Sequence, residues 1–326
     1  MARKTRKQRE LDRLDIPDPL GSANSPLDLK PLDWWNVIKN TIREVEKDNV
    51  PVVAAGVAFF SLLAVFPLLT ACLSIYGFFA DPQQVQQLLL SVSDVLPADA
   101  WAVINQQITA IVTAPDSNLG LGIAIGLLVA LWSAGSGIRA IMRAMNIAYG
   151  ERETRSFGVF YALAGSMTLS MIIFVWIALA VIVGLPALLS LLRLDPVVEV
   201  FTRFLPWIIL ISMFGFASGI VYRFGPSRRP AKKRWVFPGI VLTTVSWLGL
   251  SYAFSKFVTS FGNYNAIYGS LSAVIILLIW FWLTAFVVIV GAEFNAELER
   301  YTSVDTTRGE DRPVGKRGAA MADWRP

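Results

Sequence analysis

Histidine is absent from this 326-residue chain, and cysteine occurs once, as Cys72 inside an apolar run. The lack of histidine removes the side chain that most often performs acid–base chemistry near neutral pH and binds catalytic metals, which counts against a hydrolytic enzyme. A single cysteine excludes an intrachain disulfide framework, so we interpret Cys72 as a small buried apolar residue. The sequence also lacks a G-x-x-x-x-G-K loop, and we expect no nucleotide hydrolysis by the chain itself.

Charge is scarce as well. Only 16% of the residues are charged, 55% are hydrophobic and the mean hydropathy is +0.54, which is too apolar for a soluble domain of this size. A membrane-spanning helix needs roughly 20 apolar residues, and no alternating ten-residue segments indicate a barrel. We therefore predict an all-α fold, a polytopic membrane helix bundle with six transmembrane helices. The predicted spans are 52–79, 119–138, 157–185, 204–222, 235–255 and 266–292.

The positions of lysine and arginine predict the orientation. In a six-span arrangement, 26 of the 29 cations fall in the two tails and in the connections 139–155 and 223–234, all on one side. Because cytoplasmic connections carry the excess of Lys and Arg, both termini are expected in the cytoplasm. The run between Arg223 and Arg234 is interpreted mainly as a topology signal, with attraction to lipid headgroups as a second use.

Four segments outside the spans complete the predicted organisation. Asp33 caps an amphipathic helix that carries Trp35, Ile38, Ile42 and Val45 on one face, which is typical of a helix lying on the inner membrane surface. Residues 82–114 are predicted to form an extracytoplasmic amphipathic helical hairpin without a cation. The polar tails 1–30 and 301–326 are predicted to be disordered, so the membrane domain covers 31–300.

Two prolines mark candidate helix kinks. Pro67 lies in the middle of the first predicted span, and Pro186 ends the third. Discontinuous helices recur at transporter binding sites, but proline kinks are also common in membrane helices without that role. Both readings stay open.

Charged residues at the predicted cytoplasmic helix ends form two pairs with a spacing of four. Arg139 and Arg143 lie on one helix, Glu293 and Glu297 on another, so each pair projects from one helix face. Equal depth and opposite sign predict an interhelix ion-pair network. That network is either a latch that closes the inner end of the bundle, or a site where the arginines meet a lipid phosphate and Glu293 tunes access.

The stretch FGNYNAIYGS at 261–270 interrupts the apolar sequence between the last two spans. Glycine and asparagine tolerate a tight turn, and tyrosine favours the membrane interface, which accounts for the composition. The clustering of Asn263, Tyr264, Asn265 and Tyr268 has a second interpretation, as the polar lining at the mouth of a cavity.

Three longer motifs carry a resemblance to a known family. AFFSLLAVFPLLTACLSIYG, LWSAGSGIRAIMRAMNIAYG and FSKFVTSFGNYNAIYGSLSAVIILLIWFWLTAFVVIVGAEFNAELE resemble the YihY/virulence factor BrkB family of bacterial inner-membrane proteins, over about residues 33–300. The third motif departs from the commonest form, in which a second glycine precedes Ala273. The resemblance implies a six-span inner-membrane protein. Some members were once described as ribonuclease BN, and relatives have been connected with lipid export and envelope integrity.

These observations favour transport or translocation of an amphipathic substrate such as phospholipid, with no enzymatic activity, cofactor or metal. The expected partners are membrane lipids, with a periplasmic lipid-transfer protein as a further candidate, and no nucleic acid. The alternative is a non-transporting scaffold that anchors an envelope protein, and a ribonuclease is third because no histidine or adequate carboxylate set is present. The sequence leaves the substrate, driving force and oligomeric state open.

Overall fold

A computed structural model describes residues 25–79, 132–133, 135–185, 196–260, 271–302 and 304–324. Within these ranges the chain is helical and has no β-strand, apart from an isolated bridge between Ala231 and Thr307. The α-helices are α1 (Pro31–Lys47), α2 (Val50–Phe79), α3 (135–148), α4 (Phe157–Leu179), α5 (Pro196–Phe224), α6 (Lys233–Ser260) and α7 (Leu271–Glu299). The all-α prediction is confirmed for the described residues.

Four helical stretches are long and apolar enough to cross a membrane. They are Phe157–Ile182, Phe204–Phe224, Lys233–Val258 and Val274–Glu299, and they coincide with predicted spans. The number becomes five if Pro31–Lys47 and Val50–Val65, which meet at an angle of 64°, form one broken span. The predicted span 119–138 lies mostly outside the described residues, so the total of six stays a prediction.

Other predicted features also fall outside the described residues: the tail over 1–24, the hairpin 82–114, Pro186 and the turn 261–270. Helix α2 continues through Pro67 without a change of helix type, and a kink there stays a prediction. Just before Pro186, α4 ends in a turn of π-helix at Ala180–Gly184. Such turns are a recognised cause of bends in helices.

Helix α7 lies at the centre of the described structure and contacts α1, α2 and α6. Its last part carries several small or polar residues, and residues 291–299 are all buried among its neighbours. The tightest crossing joins Gly239 of α6 to Gly291 of α7, where a Cβ on Gly239 would meet the carbonyl oxygen of Gly291 and the side chain of Asn295. Small residues are the usual means of bringing membrane helices into backbone contact.

Polar side chains at this crossing are satisfied between helices. The Asn295 Oδ1 accepts a 2.8 Å hydrogen bond from the Gly239 amide, and its Nδ2 donates to the Val236 carbonyl at 3.1 Å. Helix α5 joins through Tyr222, whose hydroxyl donates to the Val288 carbonyl at 2.9 Å and lies 2.5 Å from the Thr243 Oγ1. Because unpaired polar groups are costly in an apolar bundle, these bonds fix how α5, α6 and α7 sit together.

Helix α1 begins at Pro31, two residues before the predicted capping position. Asp33 is therefore the third helical residue, and its carboxylate accepts the Lys30 amide at 3.0 Å. Val37 is buried with Phe294 and Leu298 of α7. Three of the four positions of the predicted apolar stripe, 35, 38 and 42, remain exposed on another face, as a helix on a membrane surface requires. The fourth, Val45, was predicted wrongly, since it packs against the core.

The predicted disorder of 301–326 is not what the structure has over 304–324. These residues form an irregular but packed segment, here called the C-terminal segment. In it, two carboxylates accept hydrogen bonds from several backbone amides. Asp305 accepts from the amides of Thr307 and Arg312, and Asp323 accepts from those of Gly315, Arg317 and Gly318. Hydrogen bonding to acidic side chains therefore orders a sequence that is too polar to form a core by itself.

We expect Gly239→Ala to destabilise the fold, because the new methyl group would collide with backbone and amide atoms of α7 that cannot move independently. The cost of such overpacking is about 1–3 kcal/mol. Gly249→Ala in the same helix is the matched control, since its Cβ would meet nothing within 4 Å. Melting of the purified variants in detergent measures the difference, and equal melting temperatures for the two would contradict the tight crossing.

Candidate functional site at the charged end of the bundle

The ends of α1, α3, α5 and α7 and the start of α6 come together with the connections 149–156 and 225–232 and the C-terminal segment. Many of the described charged residues that the sequence predicts at one membrane side meet here. Many of them are buried, and each buried charge needs an opposite charge or several hydrogen bonds. Because it holds these buried charges, this end of the bundle is the candidate functional site.

Glu297, predicted to face Arg139 or Arg143, instead forms an ion pair with Arg300 of its own chain end. The Arg300 Nη1 also lies 3.8 Å from the Glu44 Oε1 of α1, and its guanidinium stacks at 4.9 Å over the Trp324 ring. Glu44, Glu297 and Arg300 are all buried. This arrangement ties α1, α7 and the C-terminal segment together and matches the latch interpretation, with different arginines from those expected.

A second buried pair joins Arg228 to Glu299 at 2.6 Å, with side chains 1% and 0% exposed. The Thr306 hydroxyl donates to the same Glu299 oxygen at 2.6 Å, and the Arg228 guanidinium lies 5.0 Å from the Tyr149 ring centre. The sequence analysis did not identify any of these four residues. Glu293, one turn deeper on α7, is fully buried.

Among the described residues, no ion pair joins Arg139 or Arg143 to these carboxylates. The Arg139 guanidinium lies 5.0 Å from the Trp132 ring centre and 5.2 Å from that of Tyr161, while Arg143 is exposed. The reason is rotation around α3. The row at 140, 144 and 148 packs into the core that contains α7, and the two arginines precede it by one residue, about 100° around the helix. Their common depth stays a prediction, and the facing direction was not available from one sequence.

Four other predicted site residues, Asn263, Tyr264, Asn265 and Tyr268, lie outside the described residues, as does Pro186. Pro67 is in α2, but its surroundings also fall outside what is described. Their roles stay predictions. Among the described residues, no three His, Cys, Asp or Glu side chains are grouped as a metal ion would need.

Asn146 links the connections 149–156 and 225–232, a contact that the sequence did not predict. Its Oδ1 accepts the Ser227 amide at 2.6 Å, and its Nδ2 donates to Glu153 at 3.0 Å. Arg155 forms two 2.7 Å bonds to the Glu153 carboxylate and donates to the Gly225 carbonyl at 2.9 Å. The bonds from Arg155 outweigh burial and lower the pKa of Glu153 to about 2. The 149–156 connection is thereby fixed against the end of α5.

The basic run 223–234 has structural partners as well as a topological meaning. Arg229 donates to the Thr307 hydroxyl at 3.0 Å and lies 3.6 Å from Asp305, and the Lys232 Nζ lies 2.8 Å from Asp311. The backbone joins in, since the Lys232 amide donates to the Thr306 carbonyl at 2.7 Å. A sequence signal existed: three aspartates in a tail predicted to share its membrane side with six cations.

Arg228→Met is expected to destabilise the protein by about 3–5 kcal/mol, because it leaves the fully buried Glu299 carboxylate without its cation. Arg234→Met is the control, since it removes an exposed charge from the same run. Thermal unfolding in detergent compares the two. A control variant that loses as much stability as Arg228→Met would show that general charge loss, not the buried pair, is responsible.

The Glu153 contacts predict a pH dependence. A carboxylate with a lowered pKa stabilises the fold fully above its ordinary value of 4.5, and this contribution disappears as the pH falls from there toward about 2. The stability gap between the wild type and Glu153→Gln should therefore be constant near neutrality and close in acid. Melting temperatures of both proteins from pH 7 to pH 3 test this. A gap that persists unchanged at pH 3 would contradict the assignment.

Comparison with known proteins agrees with this architecture. The family description Virulence factor BrkB matches residues 41–315, which includes most of the C-terminal segment. The putative ribonuclease-like protein YfkH of Bacillus subtilis is 31% identical over 252 residues, covering 76% of this chain and 89% of the relative. A UPF0761 membrane protein of Aliivibrio salmonicida is 27% identical over 272 residues, covering 81% and 83%. No solved structure matches. With its several apolar helices, this multi-pass membrane protein belongs to the virulence factor BrkB family.

Proposed function

We propose that this protein spans the bacterial inner membrane six times, with both termini in the cytoplasm, and translocates an amphipathic substrate with a phosphate headgroup, such as a phospholipid. The observation that carries the proposal is the environment of Arg139. Its guanidinium is held at the end of apolar helices by two aromatic rings, and no carboxylate pairs with it in the described part of the chain.

The neighbours of Arg139 fix the position of its side chain without using all of its hydrogen-bond donors. The Nη2 donates one hydrogen bond, to the Trp132 carbonyl at 3.3 Å, and a guanidinium has five N–H donors. Gly135, one turn earlier, makes room for it, since a Cβ there would come within 2.7 Å of the Nη1. The rings of Trp132 and Tyr161 stack on each other at 5.6 Å and limit where the cation can move. The planar fork of a guanidinium matches the geometry of a phosphate or a carboxylate group.

Arg143 lies one turn farther along α3 and is exposed, so a headgroup at Arg139 is within reach of a second cation. On α4, which carries Tyr161, the side chains of Leu169, Ile173 and Ile177 are also exposed. An apolar surface that leads to a pair of cations is what an acyl chain and its phosphate require together. Glu297, held by Arg300, acts in this proposal as part of the latch and not as a lipid ligand.

A non-transporting scaffold remains the alternative, and it depends on the outer hairpin, which lies outside the described residues. A ribonuclease is the third possibility, and its support is the name of the Bacillus subtilis relative. A nuclease would act on RNA in solution, whereas translocation needs only a lipid and a bilayer. Assaying one protein preparation for both RNA cleavage and lipid translocation distinguishes the two functions.

We expect Arg139→Ala/Arg143→Ala to slow the movement of fluorescent phospholipid across liposomes containing the purified protein by about tenfold, since each lost charge-assisted bond costs about 1.5–3 kcal/mol. Lys39→Ala/Arg43→Ala is the control, with the same spacing and charge loss on exposed positions of α1. Circular dichroism and melting verify the fold of both variants. Unchanged flux in the α3 variant would overturn the entrance role, and RNA cleavage by the wild type would favour the nuclease.

A further inference from the structure

A separate cavity of about 470 Å³ opens between the end of α5, the start of α6 and the C-terminal segment. Its lining consists of four cationic side chains and one aromatic ring: Arg223, Phe224, Lys232, Lys233 and Arg308. No carboxylate is among these described lining residues. None of these residues belongs to the Arg139 site, and the volume is within the roughly 300–1,000 Å³ that is usual for small-ligand sites.

Three of the four cations of this cavity differ from the paired arginines of the basic run. Arg228 and Arg229 are paired with Glu299 and Asp305, whereas Arg223, Lys233 and Arg308 form no ion pair with any described residue. The Arg223 Nε is buried without a hydrogen-bond partner, and its guanidinium lies 5.6 Å from the Phe224 ring. Cations without acidic partners favour an anionic ligand over a neutral one.

The fold holds these like charges together by backbone contacts. The Arg308 amide donates to the Pro230 carbonyl at 2.8 Å, next to the bridge between Ala231 and Thr307. Lys232 is fixed by the Asp305 carbonyl at 2.7 Å and the Asp311 carboxylate at 2.8 Å. The end of α5, the start of α6 and the C-terminal segment are therefore held together without a ligand. The repulsion among their cations is a cost that a bound anion offsets.

The position of the cavity indicates which kind of anion binds there. It lies where two membrane-spanning helices end and begin. Phe224, which lines it, and Phe237, one turn along α6 from Lys233, are 43% and 62% exposed. Cations next to exposed rings at the end of apolar helices are suited to a phosphate whose acyl chains lie along the helices. We propose that this cavity binds the phosphate group of an anionic phospholipid from the adjacent leaflet.

This binding site goes beyond the proposed translocation and does not depend on it, because occupancy requires no movement of lipid. It also gives the ordered C-terminal segment a role: Arg308 completes the site only when that segment is docked on the 225–232 connection. The shared chemistry is a phosphate group, and its other source is a soluble phosphate compound.

The test is equilibrium binding to the full-length protein in a neutral detergent, measured by thermophoresis with dioctanoyl phosphatidylglycerol, inorganic phosphate and dioctanoylglycerol, which lacks the phosphate. The pocket variant is Arg223→Gln/Lys233→Gln/Arg308→Gln. The matched control is Arg234→Gln/Arg312→Gln/Lys316→Gln, which removes the same charge from exposed positions outside the cavity. Lys233→Gln alone, at an exposed position, keeps the test valid if the triple variant does not fold.

Phosphatidylglycerol should bind to the wild type and the control with similar Kd, and about tenfold or more weaker to the pocket variant, given about 1.5–3 kcal/mol for each charged hydrogen bond lost. Lys233→Gln should weaken binding severalfold, and added salt should weaken it further. Inorganic phosphate that binds as tightly as the lipid would support the phosphate site and assign it to a soluble ligand. Equal binding of dioctanoylglycerol, or equal losses in the two triple variants, would overturn the proposal.

Discussion

The contact on which the rest of the structure depends is the crossing of α6 and α7 at Gly239 and Gly291. With no side chain between them, the two backbones approach closely enough for Asn295 to bond to α6 in both directions. In lipid, the hydrophobic effect does not hold helices together, so close packing and interhelical hydrogen bonds must do so. Tyr222 adds α5 to the same junction. This alignment brings the ends of α5 and α7 and the start of α6 to the same end of the bundle.

At the charged end, burial separates the cations into two classes. Arg228 and Arg300 are buried with glutamates of α7 and stabilise the arrangement of helices. Arg139 and Arg223 are held by aromatic rings and have no acidic partner in the described ranges. Separating a paired charge from its partner costs free energy, whereas the binding of an anion to an unpaired cation is favourable. That difference is the physical basis for assigning latches to the first class and ligand sites to the second.

Much of the fold could be predicted because hydropathy is a local property. The four apolar helices that are long enough to span a membrane coincide with predicted spans, and the exposed stripe of α1 was expected from its spacing. The site was predicted less well. Arg139 and Glu297 were placed at a common depth, but rotation about α3 sends the arginine to Trp132 and Tyr161. Asn146 and Asn295 gave no signal, since a single buried amide resembles any other polar residue in a sequence.

The sequence by itself determined that long uncharged helices must lie in a bilayer, because transfer of charge into hydrocarbon is costly wherever the helix packs, and it predicted that the cations collect at one side. Only the tertiary structure decided which charges meet and that residues 304–324 are ordered. Those outcomes depend on distances between residues about 70 to 260 positions apart, such as Arg228 with Glu299 and Glu44 with Arg300, which no local pattern contains.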